Sequence, residues 1–247
     1  MIQLGFRKLA QFRYLHWMAW IIAAIVSYIA SSYLVVAVAY TLRVINPSIG
    51  PADTLALLWY RVIAVILAIS LLLLVPSLIK SVPVSIADMA ISRLPLWKDV
   101  GMALAGGVVY IATTTAAFVI ASRFTLFDTA QAQDVGRTTF FGTEGAWAFL
   151  ILIVAVPIAE ELLFRGLLYS KLRQAGGGYW PAALTVSVLF ALAHGQVNVG
   201  VDVFFLSMVA CYLRESTGSI WAGILLHMIK NAVAFYIAFS FMPAIGS

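Results

Sequence analysis

Long apolar runs separated by short polar stretches divide this chain into seven segments, at about 17–40, 55–79, 100–121, 146–169, 180–194, 200–213 and 219–241. A helix needs about 20 apolar residues to cross a bilayer core, and most of these runs reach that length. The fifth and sixth fall short, which predicts helices that are tilted or shielded by neighbours. The seventh contains Lys230 and Asn231, and a break there would give an eighth helix. Barrel strands would show as short alternating segments, not as continuous apolar runs. The pattern therefore predicts an all-α, polytopic transmembrane helical bundle of seven to eight helices with a membrane-embedded polar cavity, forming a single integral membrane domain.

The connecting stretches add detail. Residues 1–16 place Phe6, Leu9 and Phe12 among Arg7, Lys8 and Arg13, the pattern of an interfacial helix. Ala37-Val38-Ala39 resembles a signal-peptidase site, but the apolar run before it is too long for a typical signal peptide, so an uncleaved helix is expected. The connection 122–145 is the longest and most polar; it is expected as a solvated loop, with a lid over a cavity as the second reading. Gly176-Gly177-Gly178 followed by Pro181 predicts a turn into the next helix.

Composition agrees with the pattern. The chain is 63% hydrophobic and 10% charged, against about 25% charged for a soluble domain. A single cysteine, Cys211, excludes an internal disulfide and any multi-cysteine metal site. The net charge of +5 does not point to nucleic acid, because the basic residues cluster at segment ends where anionic lipid headgroups account for them. Arg7, Lys8 and Arg13, then Lys80, Arg93 and Lys98, then Lys171, Arg173 and Arg214 mark one set of connections. By the positive-inside rule this predicts a cytoplasmic N-terminus.

Against this background a few polar residues stand out. Glu160, Glu161 and Arg165 lie inside the fourth run, where each ionisable group costs at least about 2.5–3.5 kcal/mol. On a helix Glu161 and Arg165 project within about 40° of each other and form an i,i+4 pair, while Glu160 points about 140° from Arg165. Glu160 is thus the carboxylate left to face a cavity, as a general base would. His194 and His227 also lie in apolar runs, each with an asparagine at i+4, Asn198 and Asn231. Counted at about 1.5 Å per residue from the predicted cytoplasmic ends, Glu160 is roughly 15 Å deep, His194 roughly 21 Å, His227 roughly 14 Å and Asn231 roughly 20 Å. Three helices therefore contribute to one polar layer near the bilayer centre.

At these residues the chain resembles the CPBP, or Abi, intramembrane proteases, which include the type II CAAX prenyl endopeptidases. EExxxR is met by Glu160, Glu161 and Arg165, extended by Phe164 and Gly166. FxxxH is met by Phe190 and His194, and HxxxN by His227 and Asn231. The resemblance covers about 145–240, the expected catalytic core. It implies a bundle of about eight helices and hydrolysis near the C-terminus of a peptide or lipidated protein substrate held in the lipid bilayer. It also implies that Glu160 activates water, that Glu161 and Arg165 support it, and that His194, His227 and Asn231 complete the site. Phe190 and Asn198 are expected as further supporting residues.

Peptide hydrolysis needs an activated water and a stabilised oxyanion. Glu160 supplies the first; His227 and Asn231 supply donors for the second, with His194 positioning the water. No cofactor is required by this scheme. The alternative is zinc held by Glu160, His194 and His227, at the cost of removing the obvious base. A serine triad is disfavoured: Ser187 shares a face with His194, but Asp202 is expected near the opposite membrane face. Other function classes are a proton-coupled transporter, which usually shows internal repeats absent here, and a non-catalytic immunity or binding protein. Lys230 belongs to no motif and is expected to snorkel, face a wet cavity or mark a helix break.

Overall fold

The computed structural model describes residues 2–46, 54–78, 85–124 and 142–240. Seven long helices account for most of them: α1 (Ile2–Ile45), α2 (Thr54–Leu78), α3 (Trp97–Ala121), α4 (142–174), α5 (Tyr179–Leu192), α6 (Val197–Thr217) and α7 (Trp221–Ser240). Among the described residues there is no strand. Four helices contain stretches long and apolar enough to cross a membrane: Tyr14–Ile45, Trp97–Ala121, Gly145–Gln174 and Val197–Thr217. The outward faces are apolar too, with Ile22, Ile29, Leu34, Val108 and Ile111 all exposed. Such a surface is soluble only in hydrocarbon, and the protein is an integral membrane protein.

Three expectations change. The N-terminal residues are not a separate interfacial helix; α1 runs unbroken from Ile2 to Ile45. The seventh segment does not break at Lys230, because α7 is continuous from Trp221 to Ser240. The sixth segment is not short: α6 has 21 residues. The fifth, α5, stays short at 14 residues. The stretch 125–141, which holds most of the expected loop or lid, lies outside the described residues.

α4 is the central post and touches α1, α2, α5, α6 and α7. It is not a uniform α-helix. Two π-helical stretches, Leu150–Ala155 and Leu162–Leu168, bracket the α-helical turn Val156–Glu161. Pro157 explains part of this. Its ring nitrogen has no proton to give the preceding turn, so the helix widens to i→i−5 bonding, as in Val156 N–H to Ile151 O. Leu163, Phe164, Leu167 and Leu168 pack on Val65, Ala68, Leu72 and Phe190 to form the main core.

A short 3-10 turn, Ile86–Met89, wedges against the other end of α4. Gly166 makes this approach possible: a Cβ there would sit 2.9 Å from the Met89 carbonyl oxygen. Lys171 is nearly fully buried, and its ammonium lies 2.8 Å from Asp88 and 5.6 Å from the Trp20 ring. Beside it, Arg173 and Tyr169 both donate to Glu215, tying α4 to α6.

Candidate active site

The motif residues meet where the α-helical turn of α4 faces α7. The Glu161 and Arg165 side chains are both fully buried, with Oε1 of Glu161 2.8 Å from Nη1 of Arg165. The spacing-based pair therefore forms. The same Glu161 oxygen lies 3.3 Å from Nδ1 of His227 on α7, so Glu161 joins Arg165 on its own helix to His227 on another. Gly223, one turn before His227, leaves room for this carboxylate. A Cβ there would come within 3.0 Å of Glu161 Oε2.

Glu160 stands on the other side of His227. Its Oε2 is 3.8 Å from His227 Nε2, and its side chain keeps 18% of its exposure while that of Glu161 keeps none. Adjacent glutamates in one turn thus have opposite surroundings. Glu161 is sealed behind the histidine, and Glu160 is open in front of it.

Phe190 ties the three motifs together. It is fully buried on α5. Its ring stands edge-on to His194 at 4.8 Å, to His227 at 5.9 Å and to Phe164 at 4.9 Å, and the Arg165 guanidinium covers it at 4.3 Å. The contacts explain why an aromatic at this position serves the site: it fixes two imidazoles and gives a buried cation a π-face.

His194 lies just beyond α5, whose last residue is Leu192. Its Nδ1 is 2.8 Å from the Phe190 carbonyl oxygen. A carbonyl only accepts, so Nδ1 carries the proton in the neutral ring and Nε2 is left as an acceptor. Asn198 does not share a helix with His194, because α6 begins at Val197. The i+4 pairing expected for these two fails for that reason. Asn198 instead accepts the Val199 N–H at 2.8 Å.

Asn231 shares α7 with His227 as expected, and its Nδ2 donates to the Leu152 carbonyl at 2.9 Å. That carbonyl lies five residues before Pro157, the position whose backbone N–H would serve it in the π-helical pattern. The asparagine supplies the donor that the proline lacks.

Two residues have partners that the sequence did not show. Asp202, near the start of α6, lies 3.1 Å from Lys230, beside Asn231, and accepts a hydrogen bond from Tyr110. Lys230 neither breaks the helix nor stands alone, since this carboxylate neutralises it. Arg61 went unnoticed, although a cation seven residues into α2 was a visible signal. Its charge acts on Glu160, His194 and Tyr28. Ser187 is fully buried and offers no accessible nucleophile. Cys211 is buried in the main core.

Among the described residues no three His, Cys, Asp or Glu side chains converge on a point that would hold a metal ion. His227 presents Nδ1 to Glu161, His194 presents Nδ1 to a carbonyl, and the Phe190 ring packs against both imidazoles. In both rings Nε2 is the nitrogen left for a water or another ligand.

Next to the site an apolar groove of about 350 Å³ runs between α1, α4 and α5, lined by Ile25, Tyr28, Phe164, Leu168, Leu189 and Ala193 among others. It begins beside His194 and follows the face of α4 away from Glu160.

With this geometry in hand, comparison with known proteins is informative. The family model for type II CAAX prenyl endopeptidases, Rce1-like, matches residues 142–233, which hold all three motifs. Over this part the chain is similar to the Rce1-like family. An uncharacterized 24.3 kDa protein of Escherichia coli is 30% identical over 83 residues, covering 32% of this chain and 38% of that protein. The chain thus matches well under half the length of that relative. No solved structure matches it. The matched region coincides with α4 to α7, so the likeness covers the site and leaves α1 to α3 outside it.

Proposed function

We propose that the protein is an intramembrane endopeptidase that hydrolyses a peptide bond near the C-terminus of a lipidated, CAAX-type or other membrane-associated substrate. The observation that carries this reading is the open Glu160 facing His227 across 3.8 Å, with Glu161 holding the far side of the imidazole. The gap is too long for a direct hydrogen bond and suits a water or a substrate oxygen between the two groups.

In the proposed reaction Glu160 takes a proton from water as the oxygen attacks the carbonyl carbon. His194 Nε2, free to accept, holds the second water proton. His227 keeps Nδ1 toward Glu161 and offers Nε2–H to the developing oxyanion. Asn231 has one N–H committed to Leu152 and a second to offer the same oxygen. The C–N bond then breaks, and Glu160 returns its proton to the leaving amine. No step passes through a metal. The apolar groove suits the hydrocarbon chain of a lipidated substrate, with its peptide end at Glu160. The basic connections support a cytoplasmic N-terminus.

The test is cleavage of farnesylated and unmodified peptides by purified protein in detergent, with and without chelator. Glu160→Gln should lower kcat by about 10²–10⁴, and chelator should leave the wild-type rate unchanged. A rate abolished by chelator and restored by zinc would reverse the metal-free scheme. A Glu160→Gln variant at full rate would remove Glu160 as the base.

A further inference from the structure

Among the described residues Arg61 is a cation inside an apolar helix with no ion-pair partner. It does not lie on the lipid-facing side of α2. Leu58, Val65, Ala68 and Leu72 form the buried stripe of this helix, each under 6% exposed. Arg61 falls three residues after Leu58, four before Val65 and seven before Ala68, on that same stripe. Leu58 packs with Ile151, and Val65 belongs to the core that holds Ala159 and Leu163, so the stripe faces α4 on both sides of Arg61. Yet Arg61 is exposed, which shows that the packing between α2 and α4 opens at its level. From there the Arg61 charge reaches Glu160 and His194.

Charge balance identifies what Arg61 lacks. Glu161 is paired with Arg165, and Glu160 faces His227 across 3.8 Å. Lys230 is matched by Asp202. Among the described residues no carboxylate lies within ion-pair distance of Arg61. An unmatched guanidinium at this depth is expensive, and a planar fork of donors is suited to a carboxylate.

We infer that Arg61 receives the C-terminal carboxylate of the substrate peptide and so selects free chain ends. The inference rests on the protease reading given above. It defines the geometry of cleavage: an extended peptide advances about 3.3–3.6 Å per residue, so an anchor beside the site admits only a few residues after the scissile bond. The enzyme then trims short C-terminal tails and does not cut within long chains.

The experiment measures kcat/KM for one farnesylated peptide as its C-terminal acid and as its C-terminal amide. Wild type, Arg61→Gln and Arg61→Lys are compared in nanodiscs of phosphatidylcholine, with and without phosphatidylglycerol. Wild type should prefer the acid by roughly 10- to 100-fold, the worth of a charged hydrogen-bonded pair, mainly through KM. Arg61→Gln should lose that preference, cleaving acid and amide at similar rates, and an unfolding midpoint close to wild type shows that the variant is folded. Arg61→Lys should keep part of it. Equal losses on acid and amide would overturn the inference and make Arg61 structural. Rates that follow phosphatidylglycerol content, with acid and amide treated alike, would assign Arg61 to a lipid headgroup and overturn it as well. A wild type that cleaves both forms equally refutes this anchor alone. A wild type that cleaves neither refutes the protease reading, and the anchor with it.

Discussion

Glu160 and Glu161 are neighbours in sequence and occupy different electrostatic worlds. Glu161 is sealed, shared between Arg165 and His227, and fits only because Gly223 has no side chain. Adding one methyl group there tests its role. Gly223→Ala should push the Glu161 carboxylate off His227 and lower kcat by about tenfold or more, through the loss of an aligned imidazole. Overpacking of this kind costs about 1–3 kcal/mol of stability, so thermal unfolding in detergent should show a folded protein with a modestly reduced midpoint. Full activity in this variant would mean that Glu161 does not position His227. Much of the residue-scale picture was legible in advance. Charges and histidines in apolar runs draw attention because hydrocarbon makes them costly, and the EExxxR spacing correctly joined Glu161 to Arg165. The ion pair of Asp202 with Lys230 was not legible, because it joins two helices. Phe190 was legible as a motif position, but its function as a shared wall for two imidazoles depends on contacts between helices that no local pattern records.

At the scale of the element, α4 shows how a proline and an asparagine on different helices can act as one unit. Pro157 withholds a backbone proton, the helix widens, and Asn231 on α7 serves the Leu152 carbonyl. Asn231 therefore has two separable roles, as a structural donor and as an oxyanion donor. Asn231→Ala should lose stability, by about 1–3 kcal/mol for an orphaned carbonyl, and should lose activity. Adding Pro157→Ala restores a backbone N–H. The double variant should recover thermal stability relative to Asn231→Ala while activity stays low. If activity recovers with stability, the asparagine is structural only. The π-helical stretches were not legible in sequence, because apolar residues all around a helix carry no usable period. Pro157 was a visible hint whose consequence depended on where α7 packs. The same lack of local information explains the failed pairing of His194 with Asn198, since the chain turns between them at Gly195.

At the scale of the molecule, the seven-segment reading of the chain matches the seven long helices, and the errors concern ends and continuity. The bundle is held together away from the site by polar contacts at one end. Asp88 is the clearest of these. Burial alone would raise its carboxyl, but the Lys171 ammonium, the Ser85 backbone N–H and the Gln174 amide outweigh that and hold it at about 2. Its value in the unfolded chain is about 3.9. The carboxylate is thus easier to protonate after unfolding, and its stabilisation is complete above about pH 4 and fades as pH falls toward about 2. Asp88→Asn should destabilise the protein by about 2–3 kcal/mol at neutral pH, because Lys171 stays buried without its carboxylate. The deficit relative to wild type should shrink as pH drops through that window, which unfolding curves in detergent can follow. A deficit that is constant with pH would mean that the ion pair contributes nothing.

The fourteen residues of α5 give a rise of about 21 Å, against a hydrocarbon core of about 30 Å. Trp180, Leu184, Val188 and Leu192 are exposed at four-residue intervals, so this short helix shows an apolar stripe to the surrounding lipid. Hydrophobic mismatch on that side is relieved by local thinning of the bilayer. The thinned patch brings headgroups and their water inward along α5 toward its end, where His194 lies. On the protease reading, the membrane itself then forms part of the water supply for the proposed hydrolysis, and its rate becomes a property of the lipid as well as of the protein.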